Sequence, residues 1–157
     1  MFRNRRNNVL WFDSRRLFSA KKIVLTQTKW RIKEKKKVGI FMADGCEEIE
    51  GLTVVDIVRR AKLEMTTISI TDKKEVTSSH NVTFLTDALA SEVDFDGFDA
   101  IVLPGGMPGT LNLGASDMVN KVIKKFAGEG KIVAAICAAP SVLGAAGLLE
   151  GRHATCH

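Results

Sequence analysis

One pattern constrains this chain more than any other: a short run of apolar residues, then a tight turn, then a segment with helical spacing, and the whole repeated. The runs are VGIFMA at 38–43, AIVL at 100–103 and IVAAI at 132–136. None shows the alternation of a strand with one wet face, and none is long enough for a buried helix, so each reads as a strand covered on both sides. Asp44-Gly45 closes the first run. From Glu47 onward Ile49, Leu52, Val55 (or Val54), Ile57 and Val58 recur at helical spacing, with acids in the first turn and Arg59 and Arg60 in the last, which suits the helix dipole. The second run ends in PGGMPG at 104–109, and a helix is predicted over 117–127 on Met118, Val122, Ile123 and Phe126. The third runs into Cys137, with Pro140 where the first turn of a new helix tolerates it. A further strand is predicted over 65–71, and a hairpin-like excursion joins Val76 to 82–85. Strands alternating with helices imply an α/β fold with a mostly parallel sheet and right-handed crossovers. Chemistry in such sheets collects beyond the carboxyl ends of the strands, here the loops 44–50, 104–109 and 137–140.

Composition excludes several classes. At 157 residues, 45% hydrophobic and 26% charged, the chain suits one soluble domain rather than a disordered or fibrous one. No apolar run approaches the roughly 18 residues of a membrane-spanning helix. Cys46, Cys137 and Cys156 have neither CxxC pairing nor zinc-type spacing, which argues against a disulfide scaffold or a structural metal and for a reducing, cytoplasmic setting. The net charge of +5 is unevenly spread: residues 1–37 hold 13 Lys/Arg against Asp13 and Glu34, and 38–157 hold the remaining 10 basic and 16 acidic side chains. The body therefore offers no basic patch for nucleic acid. Residues 1–37 lack sustained periodicity and stand apart as a basic extension, disordered or non-native. An organelle-targeting segment and an arm for nucleic acid or anionic lipid are the other readings.

Cys137 follows a buried strand and precedes a helix, among small residues in AAICAAP at 134–140. A sharp strand-to-helix turn holds a nucleophile in a strained conformation, and a helix amino terminus lowers a thiol pKa. The same position equally suits a buried structural cysteine. Gly105 and Gly106 allow backbone N–H groups to approach an oxyanion, or form an ordinary turn. Glu47 and Glu48 read as helix-start acids. Glu50 becomes an acid or base if it lies beside the thiol.

Together, VGIFMADGCEEIE at 38–50, LPGGMPG at 103–109 and AAICAAP at 134–140 resemble the ThiJ/PfpI family, in its YajL-like and parkinsonism-associated deglycase branch, over residues 38–157. The resemblance implies a flavodoxin-like three-layer sandwich of the class I glutamine amidotransferase type, here incomplete because the chain stops in the middle of the family pattern. It implies Cys137 as an oxidation-prone nucleophile, Glu50 as its hydrogen-bonded carboxylic acid, Gly105, Gly106 and Ala138 as backbone donors, and His157 as a histidine near the cysteine. His80 falls where relatives often carry an arginine that reaches a partner subunit's site, and Cys46 and Cys156 match peripheral positions.

For function, the same resemblance implies a homodimer, working without metal or organic cofactor, that detoxifies reactive dicarbonyls or early glycation adducts in the manner of a glyoxalase or deglycase. The alternative is a redox-responsive chaperone or oxidative-stress sensor in which Cys137 oxidises without turnover. A peptidase would need a histidine after the nucleophile, where this chain has Ala138.

Overall fold

A computed structural model describes residues 9–12 and 35–157. Its main sheet contains β1 (Val9–Phe12), β2 (Lys37–Met42), β3 (Glu64–Ser69), β6 (Ala88–Leu89), β7 (Ala100–Leu103) and β8 (Ile132–Ile136), in the order β1-β8-β7-β2-β3-β6. Every pairing in it is parallel. β4 (Glu75–Thr77) and β5 (Thr83–Leu85) form a separate antiparallel hairpin. The helices are α1 (Glu48–Arg60), α2 (Gly109–Ala115), α3 (Asp117–Gly128) and α4 (Pro140–Ala145). This is the parallel α/β sheet expected from the alternating pattern, in the flavodoxin-like arrangement that the resemblance implies.

Two apolar clusters show why the central runs carry no polar alternation. Ile40 and Met42 face one side with Val55 of α1 and Val76 of the hairpin. Phe41, Ile101, Leu103 and Val133 face the other, against Leu113 of α2, Val119, Ile123 and Phe126 of α3, and Val142 and Leu143 of α4. Successive strand residues point to opposite faces, so a strand buried on both must be apolar throughout. Gly51 lets α1 lie close to the sheet: a Cβ there would stand 3.0 Å from the Met42 Cε.

The structure departs from the sequence expectations in four places. Ile49 and Ile57, expected on the buried stripe of α1, are exposed, as is Leu52 to a lesser degree, while Gly51 and Val55 are buried and Val54 packs beside them. α2 and β6 have no counterpart among the predicted elements. β3 ends at Ser69, short of the predicted Thr71. Finally, Val9–Phe12 belongs to the extension that stands apart on sequence grounds, yet it pairs with β8 from Val9↔Val133 to Phe12↔Ile136. At the other end of that stretch, the Lys36 ammonium and the Lys37 N–H both donate to the Asp99 carboxylate, at 2.7 and 2.9 Å. Residues 1–8 and 13–34 lie outside the described residues. No helix among the described residues is long and apolar enough to cross a membrane.

Phe126 is wholly buried between α3 and the sheet, whereas Leu85 is 76% exposed. Phe126→Ala is expected to cost about 3–5 kcal/mol of unfolding free energy through the cavity it leaves. Leu85→Ala should move stability by no more than about 0.5 kcal/mol. Urea titration followed by circular dichroism measures both.

Candidate active site

Sheet order determines which loops meet. β2, β7 and β8 lie side by side with β7 in the middle, so the loop after β7 is held between the first turn of α1 and the turn that enters α4. Glu50 comes from the first, Gly105 and Gly106 from the second, Cys137 from the third.

Gly105 is the contact point of all three. Its N–H donates to Glu50 Oε2 at 2.9 Å, and its carbonyl accepts the Glu47 N–H at 2.9 Å. A Cβ on Gly105 would stand 2.6 Å from Glu50 Oε2 and 2.7 Å from the Cys137 Cβ, inside any allowed contact. Gly106 is equally constrained, with φ +92° and the Glu47 nitrogen in the space its Cβ would fill. Behind them, loop 44–50 is tied to the hairpin: Gly45 N–H donates to Thr77 O, Thr77 N–H to Asp44 Oδ1, and Ser79 N–H to Cys46 O.

Cys137 has φ +60°, a left-handed conformation uncommon for a residue with a side chain. This is the strained strand-to-helix turn that its sequence setting suggests. Its thiol lies beside Glu50 and the backbone N–H groups of Ala138 and Gly106, near enough for each to shift its proton affinity. Gly105, expected beside Gly106 as an oxyanion donor, gives its N–H to Glu50 instead. The carbonyl of Cys137 accepts the His157 N–H at 2.9 Å. His157 thus joins the site through its backbone, and its exposed imidazole lies near enough to Glu50 to favour the carboxylate.

The electrostatics correct one expectation. A helix amino terminus is expected to lower the Cys137 pKa, yet the thiol is pushed up, by burial first and then by the charge and hydrogen bond of Glu50. The two backbone N–H groups pull the other way without prevailing. Burial also raises Glu50, with Glu47 adding to it, against the hydrogen bonds from Cys137 and Gly105. Each group therefore resists ionising while the other is charged. Cys46 is fully buried and pushed up to about 11 by that burial, which leaves it inert, whereas Cys156 is exposed.

His80 is exposed. Its Nδ1 lies 3.0 Å from Glu48 Oε1 and 3.6 Å from Glu47 Oε1, and the bond to Glu48 raises its pKa. Glu48 is lowered by its own backbone N–H and then by His80. Among the described residues, Glu47, Glu48 and His80 are the group whose donor atoms lie close enough, within 4.8 Å, to share a metal ion. The ion pair by itself accounts for their arrangement. Reading Glu47 as a helix-start acid misses its contacts with both His80 and the Gly105 carbonyl.

A DJ-1/PfpI family model matches residues 36–157. The dj-1beta protein of Drosophila melanogaster is 35% identical over 120 residues, 76% of this chain and 64% of that protein. A deglycase from Thermococcus kodakarensis is 37% identical over 120 residues, 76% of this chain and 70% of that one. Among solved structures, oxidised DJ-1 of Toxoplasma gondii superposes with a TM-score of 0.75 at 37% identity, covering 78% of this chain and 67% of that chain. The chain spans less than two thirds of the length of the first curated relatives it matches. It belongs to the DJ-1/PfpI family, the one its three motifs resemble.

The coupling between Glu50 and Cys137 has a direct signature in pH. The rate of Cys137 alkylation, followed by peptide mass spectrometry, is expected to rise with pH through two inflections, because the first charge in the pair delays the second. In Glu50→Gln a single inflection should remain, at lower pH than the upper one of the wild type, since no carboxylate then opposes the thiolate.

Proposed function

We propose that this domain uses Cys137 as nucleophile and Glu50 as acid and base to convert reactive dicarbonyls, or the early adducts they form with proteins, without metal or organic cofactor. The observation that carries the reading is the meeting of Glu50 and Cys137 at Gly105, whose N–H anchors the carboxyl at 2.9 Å and whose Cβ would stand 2.6 Å from Glu50 Oε2 and 2.7 Å from the Cys137 Cβ. The thiolate adds to the aldehyde carbon, and the electron pair of the C=O bond moves to oxygen, which takes a proton from Glu50. Glu50, now a carboxylate, takes the proton from the former aldehyde carbon and returns it to the neighbouring carbon while the hydroxyl proton passes to the former ketone oxygen, which leaves a thioester. Water then adds to the thioester carbon and the thiolate leaves, releasing the hydroxyacid. The net change is addition of one water to the dicarbonyl. The N–H groups of Gly106 and Ala138 lie beside the sulfur, where charge changes during addition. That a similar protein is named a deglycase supports the reading. His157 belongs at the rim of this site, with its imidazole close to Glu50.

A second reading draws on the same pair. Two successive oxygen transfers from a peroxide, each releasing water or alcohol, would take the thiolate through sulfenate to sulfinate, which a protonated Glu50 would then hold as a hydrogen-bond donor. A related protein from Toxoplasma gondii was solved in an oxidised form. Consumption of methylglyoxal separates the two. Turnover should fall at least about a hundredfold in Glu50→Gln, because an amide cannot cycle a proton, and should vanish in Cys137→Ser. Turnover that persists in Glu50→Gln would overturn the acid–base role. No turnover by the wild type, together with peroxide-dependent sulfinate at Cys137, would favour the sensor.

The homodimer and the cytoplasmic setting belong to this proposal. Ile49 is 70% exposed and Ile57 59% exposed, and together with Leu52 they leave apolar side chains on the outer face of α1. That face suits a second copy of the chain. Free thiols at Cys46, Cys137 and Cys156 suit a reducing compartment. Light scattering after size exclusion should show the wild type as a dimer and Ile49→Glu as a monomer.

A further inference from the structure

β8 is paired to different depths along its two edges. On the β7 side the register runs from Ala100↔Ile132 to Leu103↔Ala135 and stops, and the next residue of that strand, Pro104, has no N–H with which to continue the ladder. On the β1 side it runs one residue further, from Val9↔Val133 to Phe12↔Ile136. Among the described residues, Ile136 is therefore paired across the sheet by β1 alone. Ile136 is also the residue that hands the chain to Cys137, and its carbonyl accepts the Ala139 N–H at 3.0 Å, which closes the turn around the nucleophile. A left-handed φ on a residue with a side chain persists only where the surrounding structure over-determines it. The +60° at Cys137 lies inside that turn, so freeing Ile136 would leave the turn unsupported where it begins.

We propose that Val9–Phe12 is a positioning element of the Cys137 site: by pairing with the last residue of β8 it holds the turn that keeps the thiol beside Glu50 and the N–H groups of Gly106 and Ala138. The segment acts through the main chain of Ile136 rather than on the reacting atoms. It lies outside the residues that the family model matches, so family membership does not supply it. The inference concerns where the thiol is held and stands under either chemistry proposed for it.

β1 is an edge strand of the main sheet, and successive residues of such a strand turn their N–H groups alternately to the neighbour and to the outside. Of Leu10 and Trp11, one N–H therefore faces β8 and the other faces away. Leu10→Pro and Trp11→Pro, each in the full chain, separate loss of the ladder from any general effect of proline. The readout is the rate of Cys137 alkylation by iodoacetamide at neutral pH relative to that of Cys156, from peptide mass spectrometry, with circular dichroism verifying the fold. In the variant that loses the ladder N–H, this ratio is expected to rise roughly three- to tenfold, because burial and Glu50 keep the proton on the thiol while the turn is intact. In the other variant it should stay within about twofold of wild type, since an outward-facing N–H at a sheet edge is dispensable. Wild-type ratios in both variants would overturn the proposal, as would equal changes in both. A ladder variant that loses its folded signal would overturn it too, because the segment would then support the whole fold and not the turn.

Discussion

Everything specific to this site depends on a missing atom. Gly105 sits just beyond the central strand of three, between Glu50 in the first turn of α1 and Cys137 just after β8, and the Glu50 carboxylate and the Cys137 Cβ both crowd the space a Cβ would fill. The close approach of Glu50 and Cys137 is what couples their protons, and the Gly105 N–H is what holds the carboxyl in place. Gly106 repeats the arrangement against the backbone of Cys46 and Glu47, so the turn after β7 is packed on the start of α1 by main chain on both sides. Rigid support of this kind lets a site maintain the strained backbone of Cys137.

Much of this is legible in the chain itself because strands buried on both faces have a plain signature. The runs ending at Met42, Leu103 and Ile136 are apolar throughout, and the parallel sheet places the residues beyond them together whatever the intervening sequence does. That logic leads to the loops that carry Glu50 and Cys137, and the resemblance is what singles out the two residues within them. What is not legible depends on details that spacing does not encode. Gly105 and Gly106 look equivalent as neighbours, yet the N–H of Gly105 meets Glu50 while that of Gly106 lies on the side of the sulfur. The direction of the thiol pKa turns on burial and on the charge of Glu50, distant in sequence, which together outweigh the local helix terminus. α2 leaves no clear pattern because it is one short element with two glycines and no side-chain cap.

The acidic body and the basic extension meet differently than charge alone suggests. Lys36 and Lys37 are anchored on Asp99 at the start of the fold, so the boundary read from charge cuts through β2. At the far edge β1 adds to β8 through its backbone. Strand addition needs only N–H and C=O groups in register, and a four-residue segment without long-range periodicity supplies those as well as any other.

The anchoring of Glu50 by the main chain has a consequence for how such a site is mapped. Alanine replacement along the chain would report Cys137 and Glu50, whose side chains carry the chemistry, but it would credit any loss at Gly105 to crowding rather than to the donor that is lost in function. Replacing the amide of that one residue by an ester, which removes the N–H and adds no atom at the α-carbon, distinguishes the two. Part of the site's identity is thus written in the peptide bond, where no substitution among the ordinary side chains can read it.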